Sequence, residues 1–405
     1  MLSKSMRPLA ITVLLTLTGL SSLIANDGPL KVFILSGQSN MQGHAHVSTF
    51  DVIGLDPKTV PMLEEMVDEK GQPRVLENVW ISSIGSSDEE KTGQLTAGYG
   101  AEKRGPKIGP EFTFGIYMEK QLNEPILIIK TAWGGKSLHT DFRPPSAGPY
   151  VLNEGNIKQL KAKGKDIEAE QAKRTEASGH YYRLMMEHIN KVLGDIKRVY
   201  PEYDASEGYE LAGFVWFQGW NDMVDGGVYP NRYQPGGYDA YSELLAQFIK
   251  DVRKDLSAPE LPFVIGVMGT GGPTKLYRKD RYKGVHQNFR DAMAAPASLP
   301  ELKDNVAAVL TENYWDMELE ELRHKESEIK QQIKEIRKKV KQGELSKQAG
   351  NEAEQQLYDE TFTERENTIL KDGVSNFQFH YYGSAKILGQ IGKAFAETMG
   401  ELMQK

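Results

Sequence analysis

The chain has 405 residues, 39% hydrophobic and 26% charged, with 39 Gly, 19 Pro and no Cys. This composition excludes a disordered chain, a collagen-like fibre and a disulfide scaffold, and the missing cysteines exclude thiolate metal sites and a Cys nucleophile. A formal net charge of -7 lacks the basic excess of a nucleic-acid binder, and the length suits two or three units with ample cores.

Lys4 and Arg7 precede an apolar run from Pro8 to Leu20, followed by Ser21-Ser22-Leu23-Ile24-Ala25. A charged start, a short apolar centre and a small-residue end predict a secretory signal peptide over residues 1–25, with Ala25 last before cleavage. An uncleaved anchor is the competing reading, since the run is near the lower length limit of a span. The expected destination is secreted or periplasmic, with no membrane attachment after cleavage.

Five apolar runs then read as buried strands: Pro29 to Leu35, Pro125 to Lys130, Leu211 to Trp216, Pro262 to Val267 and Val306 to Leu310. Continuous apolar runs suit parallel strands covered on both faces. Between and after them, helical spacing predicts helices over Phe112 to Leu122, Tyr182 to Val199, Tyr241 to Leu256 and Ala385 to Leu402. The alternation predicts a three-layer α/β/α domain with a parallel five-stranded sheet of flavodoxin-like type. Residues Asn153 to Ser178 are highly polar and read as a surface excursion.

Residues 317–371 differ from the rest. Leu319, Leu322, Ile329, Ile333, Ile336 and Val340 follow three-four spacing, Gly343 punctuates, and a second polar helical stretch follows. This predicts a helical hairpin inserted between residues 26–316 and 372–405 of one α/β domain, its first arm roughly 35 Å long. It is either a solvated excursion, a self-association arm or a wall beside the active site.

The first strand feeds Ser36-Gly37-Gln38-Ser39-Asn40-Met41. A serine just past a buried strand presents its hydroxyl beside the N–H groups of the next helix, which suits nucleophilic attack and oxyanion binding; a helix cap is the competing role. Met41 occupies the last glycine position of a G-x-S-x-G elbow, so that motif is absent. The third strand feeds Gln218-Gly219-Trp220-Asn221-Asp222, where a side-chain amide can reach an oxyanion or close an Asx-turn. Near the C-terminus, His380 precedes the last helix and is placed to act as a general base.

Together these residues resemble the SGNH hydrolase superfamily, and most of all its sialate O-acetylesterase and acetylxylan esterase branch, carbohydrate esterase family six. Gly109-Pro110-Glu111 opening a helix and Lys130-Thr-Ala-Trp-Gly-Gly-Lys-Ser-Leu138 add to the likeness. The resemblance spans Lys31 to Leu402 apart from the insertion. It implies an exported serine esterase that removes O-acetyl groups from an acetylated polysaccharide or sialic acid, without cofactor or metal. Ser39 is the implied nucleophile and His380 the implied base. The implied oxyanion hole comprises the N–H of Ser39, the N–H of Gly134 or preferably Gly135, and the amide of Asn221 or Gln218. Gln38, Asn40, Glu111, His44 and His139 are the expected substrate contacts.

The family places an Asp three residues before the base, where this chain has Phe377. Asp372, Asp316 or a backbone carbonyl is left to orient His380, and Asp372 is the expected third member. Without any substitute, the fold implies an impaired enzyme that serves as a carbohydrate-binding or scaffold protein. An esterase for longer acyl groups is the remaining alternative. His44 and His46 form an H-x-H pair without an evident third metal ligand, and Trp133, Trp220, Tyr99 and Tyr314 are candidates for stacking on sugars.

Overall fold

A computed structural model of the chain describes residues 28–405, so the signal-peptide expectation for residues 1–25 lies outside the described residues. All five apolar runs form strands: β1 (Leu30–Gly37), β4 (Ile126–Ala132), β5 (Tyr209–Phe217), β6 (Phe263–Val267) and β7 (Val306–Leu310). Two further strands, β2 (Leu76–Gly85) and β3 (Lys91–Leu95), widen the sheet to seven, in the order β3-β2-β4-β1-β5-β6-β7. Neighbours are parallel except β2 and β3. The expected count of five is thus corrected, while the layered α/β class stands. β3, Lys-Thr-Gly-Gln-Leu, is polar because an edge strand needs little apolar cover.

Alternate side chains of the strands fill two separate cores. On one face Val32, Ile34, Leu127, Ile129, Phe214 and Trp216 meet three helices, α3 (His180–Gly194), α5 (Asp239–Asp255) and α6 (Lys283–Ala294). On the other, Phe33, Leu35, Ile128 and Val215 meet α2 (Pro110–Leu122) and α10 (Ala385–Met403). The helix expected to run to Val199 stops at Gly194, and Ile196–Arg198 forms a separate tight turn.

The five sequence-predicted strands lie side by side in the order second, first, third, fourth, fifth. In this doubly wound order, ligands bind beyond the strand C-termini at the switch point between the first and third strands. Those strands are β1 and β5, and they deliver the one-turn helix α1 (Ser39–Gln42) and α4 (Trp220–Val224).

The segment expected to be an inserted hairpin forms three helices where two arms were expected: α7 (Met317–Lys341), α8 (Lys347–Thr361) and α9 (Glu364–Asp372). Leu319, Leu322, Ile329 and Ile333 pack with Phe362, Ile369, Leu370 and Val52 in a small third core. Lys386 of α10 ties the base of α7 to the sheet domain, 3.1 Å from both Asp316 and Asp56.

Candidate active site

Ser39, Gly135, Asn221, His44, His380 and Gln38 line one cavity of about 630 Å³ beyond the C-termini of β1, β4 and β5. Chain segments far apart in sequence therefore meet at the switch point.

Ser39 opens α1, so its N–H is one of the unpaired donors of a helix N-terminus. Gly43 ends that turn at φ +88, and a Cβ there would lie 2.2 Å from the Gly109 Cα. Beneath it, the buried Lys130 Nζ donates to the Gln42 carbonyl (2.8 Å), the Tyr99 carbonyl (2.9 Å) and Glu111 Oε2 (2.7 Å). Glu111 in turn accepts from the Gly109 N–H at 2.9 Å. This buried ion pair fixes the turn that carries Ser39.

Gly135 and Asn221 line the same space as Ser39. Gly135 has φ +77 with nothing within 4 Å of where a Cβ would stand, so its backbone is open to the cavity. The Gly134 N–H is occupied, donating to Ser86 Oγ at 3.0 Å. Gln38 bridges to the loop after β5: its Oε1 accepts from the Gly219 N–H (3.0 Å) and its Nε2 donates to Asn221 Oδ1 (3.2 Å). Asn221 lines the cavity with its oxygen held in this way. Gln218 is engaged elsewhere, donating to the Lys136 carbonyl (3.0 Å) and to Asp222 (2.6 Å). It does not line the cavity.

The His380 loop is held in an unusual shape. Tyr381 and Tyr382 have φ of 51 and 59, the left-handed region that disfavours bulky side chains. Buried contacts hold it: the Tyr381 hydroxyl accepts from the Gly269 N–H (2.8 Å) and lies 2.7 Å from Thr311 Oγ1. The Tyr382 hydroxyl donates to Glu320 of α7 at 3.0 Å.

The partner of His380 Nδ1 is Asn376 Oδ1, at 3.0 Å. The Phe377 N–H donates to the same oxygen (2.7 Å), and Asn376 Nδ2 faces His44 Nδ1 (3.2 Å). This network puts the proton of His380 on Nδ1 and leaves Nε2 with a free lone pair. Burial pushes His380 down to about 4, and burial followed by the neighbouring His380 ring pushes His44 down to about 3. The two neutral rings stack at 3.9 Å with 2° between their planes. Ser39 and His380 share the cavity without a hydrogen bond between them among the described residues; such bonds often close only with substrate.

The family profile described as carbohydrate esterase, sialic acid-specific acetylesterase, matches residues 29–312. The chain belongs to this family. No curated protein matches it. A solved structure of an Arabidopsis thaliana protein is similar at 18% identity, covering 70% of this chain and 86% of that one, with a TM-score of 0.35. A carbohydrate acetylesterase from Xanthomonas citri is similar at 12% identity over 69% of this chain and 49% of that one, with a TM-score of 0.36. NanS is similar at 12% identity over 70% of this chain and 79% of that one, with a TM-score of 0.35.

Several residues expected at the site of this esterase lie elsewhere. Asp372, at the end of α9, borders a separate depression with Gln355 and Asp359, so Asn376 stands where a triad acid was sought. Glu111 is fully buried against Lys130 and cannot touch a substrate in the cavity. His139 is packed between Tyr150 and Tyr229, with Nδ1 2.7 Å from Thr140 Oγ1. Its N–H and that of Leu138 donate to the buried Asp222, which thereby joins the loops after β4 and β5. Asn40 is buried with its Oδ1 unpartnered and does not line the cavity. Sequence reasoning missed Asn376, Ser86, Ser87, Glu102, Lys103 and Phe379. Asn376 carried the only usable signal, a side-chain carbonyl one turn before the histidine. Among the described residues no cluster of three His, Cys, Asp or Glu side chains is arranged for a metal, and no helix is long and apolar enough to cross a membrane.

Glu111→Ala leaves the Lys130 ammonium buried and unpaired, which costs about 3–5 kcal/mol. Urea unfolding of this variant is expected to show a lowered midpoint at unchanged slope. An unchanged midpoint would remove the pair from its supporting role.

Proposed function

We propose that the chain is an exported serine esterase that removes O-acetyl groups from a carbohydrate through an acetyl-enzyme. The observation that carries the reading is the convergence of Ser39, His380, Gly135 and Asn221 on one cavity in a carbohydrate esterase. Ser39 Oγ attacks the acetyl carbonyl while His380 Nε2 takes its proton, and Asn376 holds the imidazole in the required tautomer. The negative oxygen receives hydrogen bonds from the N–H groups of Ser39 and Gly135 and from Asn221 Nδ2. The sugar oxygen leaves with the proton from His380. Water then attacks the acetyl-enzyme, giving its proton to the same nitrogen; the bond from the acyl carbon to Ser39 Oγ breaks, Oγ takes the proton back from His380, and acetate departs. Acetylated polysaccharide and O-acetylated sialic acid are the substrate classes that the family supports, and the leader-like composition of residues 1–25 supports export. The test is acetate release from acetylated xylan, O-acetylated sialic acid and para-nitrophenyl acetate by the wild type beside Ser39→Ala.

Because His380 is held down to about 4, it stays neutral and able to accept a proton throughout the neutral range. The acid limb of kcat/KM is therefore expected near that value, activity falling as pH drops through it. Asn376→Asp places a carboxylate against Nδ1, favours the imidazolium and moves the limb upward by about 1 pH unit or more. A pH–rate profile unmoved by Asn376→Asp excludes Asn376 as the partner of the base.

A further inference from the structure

A second cavity, of about 460 Å³, lies next to the first. Trp220 and Phe379 line both, their rings 5.6 Å apart. Phe377, in the position where the resemblance expects an acid, is 70% exposed and stacks on Phe379 at 5.5 Å. An aromatic ridge thus divides the two spaces.

The far wall comes from α7. Met317, Glu320, His324 and Ser327 recur at helical spacing and line the cavity from one face. Tyr282, Leu276 and Met317 stand at the rim, 48%, 53% and 39% exposed. Large apolar side chains left in water around one opening mark a binding surface. The polar groups among them do not suit an acyl chain. Glu320 and His324 lie 3.3 Å apart, and Ser327 and Gln378 add neutral donors and acceptors. Aromatic faces for C–H surfaces beside polar groups for hydroxyls are what a pyranose ring requires.

We propose that this cavity is a subsite for the sugar ring adjoining the acetylated one in an oligosaccharide. The proposal rests on the carbohydrate-esterase reading of the Ser39 site. The family match ends at residue 312 and α7 begins at Met317, so the insertion supplies this wall. Glu320 also receives the Tyr382 hydroxyl, which links the subsite to the His380 loop.

The test compares the wild type with Tyr282→Ala, which removes a rim aromatic, and Ser327→Trp, which fills the space from an exposed position. The readout is kcat/KM for acetylated xylotriose relative to para-nitrophenyl acetate. Each variant is expected to lower this ratio about 10-fold, equivalent to about 1.4 kcal/mol. A ratio unchanged in both variants overturns the proposal. So does a selective loss of para-nitrophenyl octanoate turnover, which assigns the space to an acyl chain. If the wild type releases acetate from nothing, the Ser39 reading fails and calorimetry with unacetylated xylotriose still decides the subsite. Binding by the wild type that weakens in Tyr282→Ala supports it, and no binding by the wild type overturns it.

Discussion

Ser39→Ala is expected to lower kcat for acetate release by about 10⁴-fold or more. In the proposed mechanism this hydroxyl forms the acyl bond, and the methyl left behind cannot. The residual rate comes from binding and from the oxyanion donors, which Ser39→Ala retains because the backbone N–H is unchanged. A neutral amide, Asn376, faces His380 Nδ1 where related triads use a carboxylate. It stabilises the imidazolium less, so the wild-type rate is itself expected to be low and the fall to lie at the lower end of the range for serine hydrolases. The check is single-turnover and steady-state acetate release, with circular dichroism to show that the variant is folded. Equal rates for both proteins would falsify the nucleophile assignment.

Asn221→Ala is expected to lower kcat by about 10²–10³-fold, equivalent to about 2.7–4 kcal/mol, with little change in KM. Asn221 lines the cavity with its oxygen held by Gln38 at 3.2 Å, which leaves its amide nitrogen as the group proposed to donate. A donor of this kind acts mainly on the charge that develops in the transition state, so kcat carries the loss. Gln38→Ala is expected to act in the same direction and less strongly, since it loosens the amide without removing it. Gln218→Ala provides the contrast. Its amide is committed to the Lys136 carbonyl and to Asp222, so the thermal midpoint should fall. A fall in KM-independent turnover for Gln218→Ala, with none for Asn221→Ala, reverses the assignment.

The parallel strands were readable because strands buried on both faces must be apolar throughout, and Val32 to Leu35 or Ile126 to Ile129 can be little else. β2 escaped notice because Glu77 and Asn78 interrupt its apolar residues, and β3 because its edge position requires no apolar run. Ser39, Asn221 and His380 were legible as small, amide and imidazole groups in loops that follow strands or precede a helix. Glu111 and His139 were misread for one reason. A polar side chain near a motif looks the same in sequence whether it faces a cavity or an internal partner. Lys130, which holds Glu111, and Tyr150 and Tyr229, which enclose the His139 ring, act from other parts of the chain.

By itself, the amino-acid sequence determined the alternation of strands and helices, the loop that carries Ser39, the amide segment after β5 and the helical character of residues 317–371. These follow from local periodicity and from which residue types can sit next to one another in the chain. Only the tertiary structure decided which amide reaches the cavity, that Asn376 rather than Asp372 meets His380, and that α7 walls a second space beside the first. Each of those depends on contacts between segments remote in sequence, and on which hydrogen-bonding groups are already satisfied by such contacts, a property that no local pattern encodes.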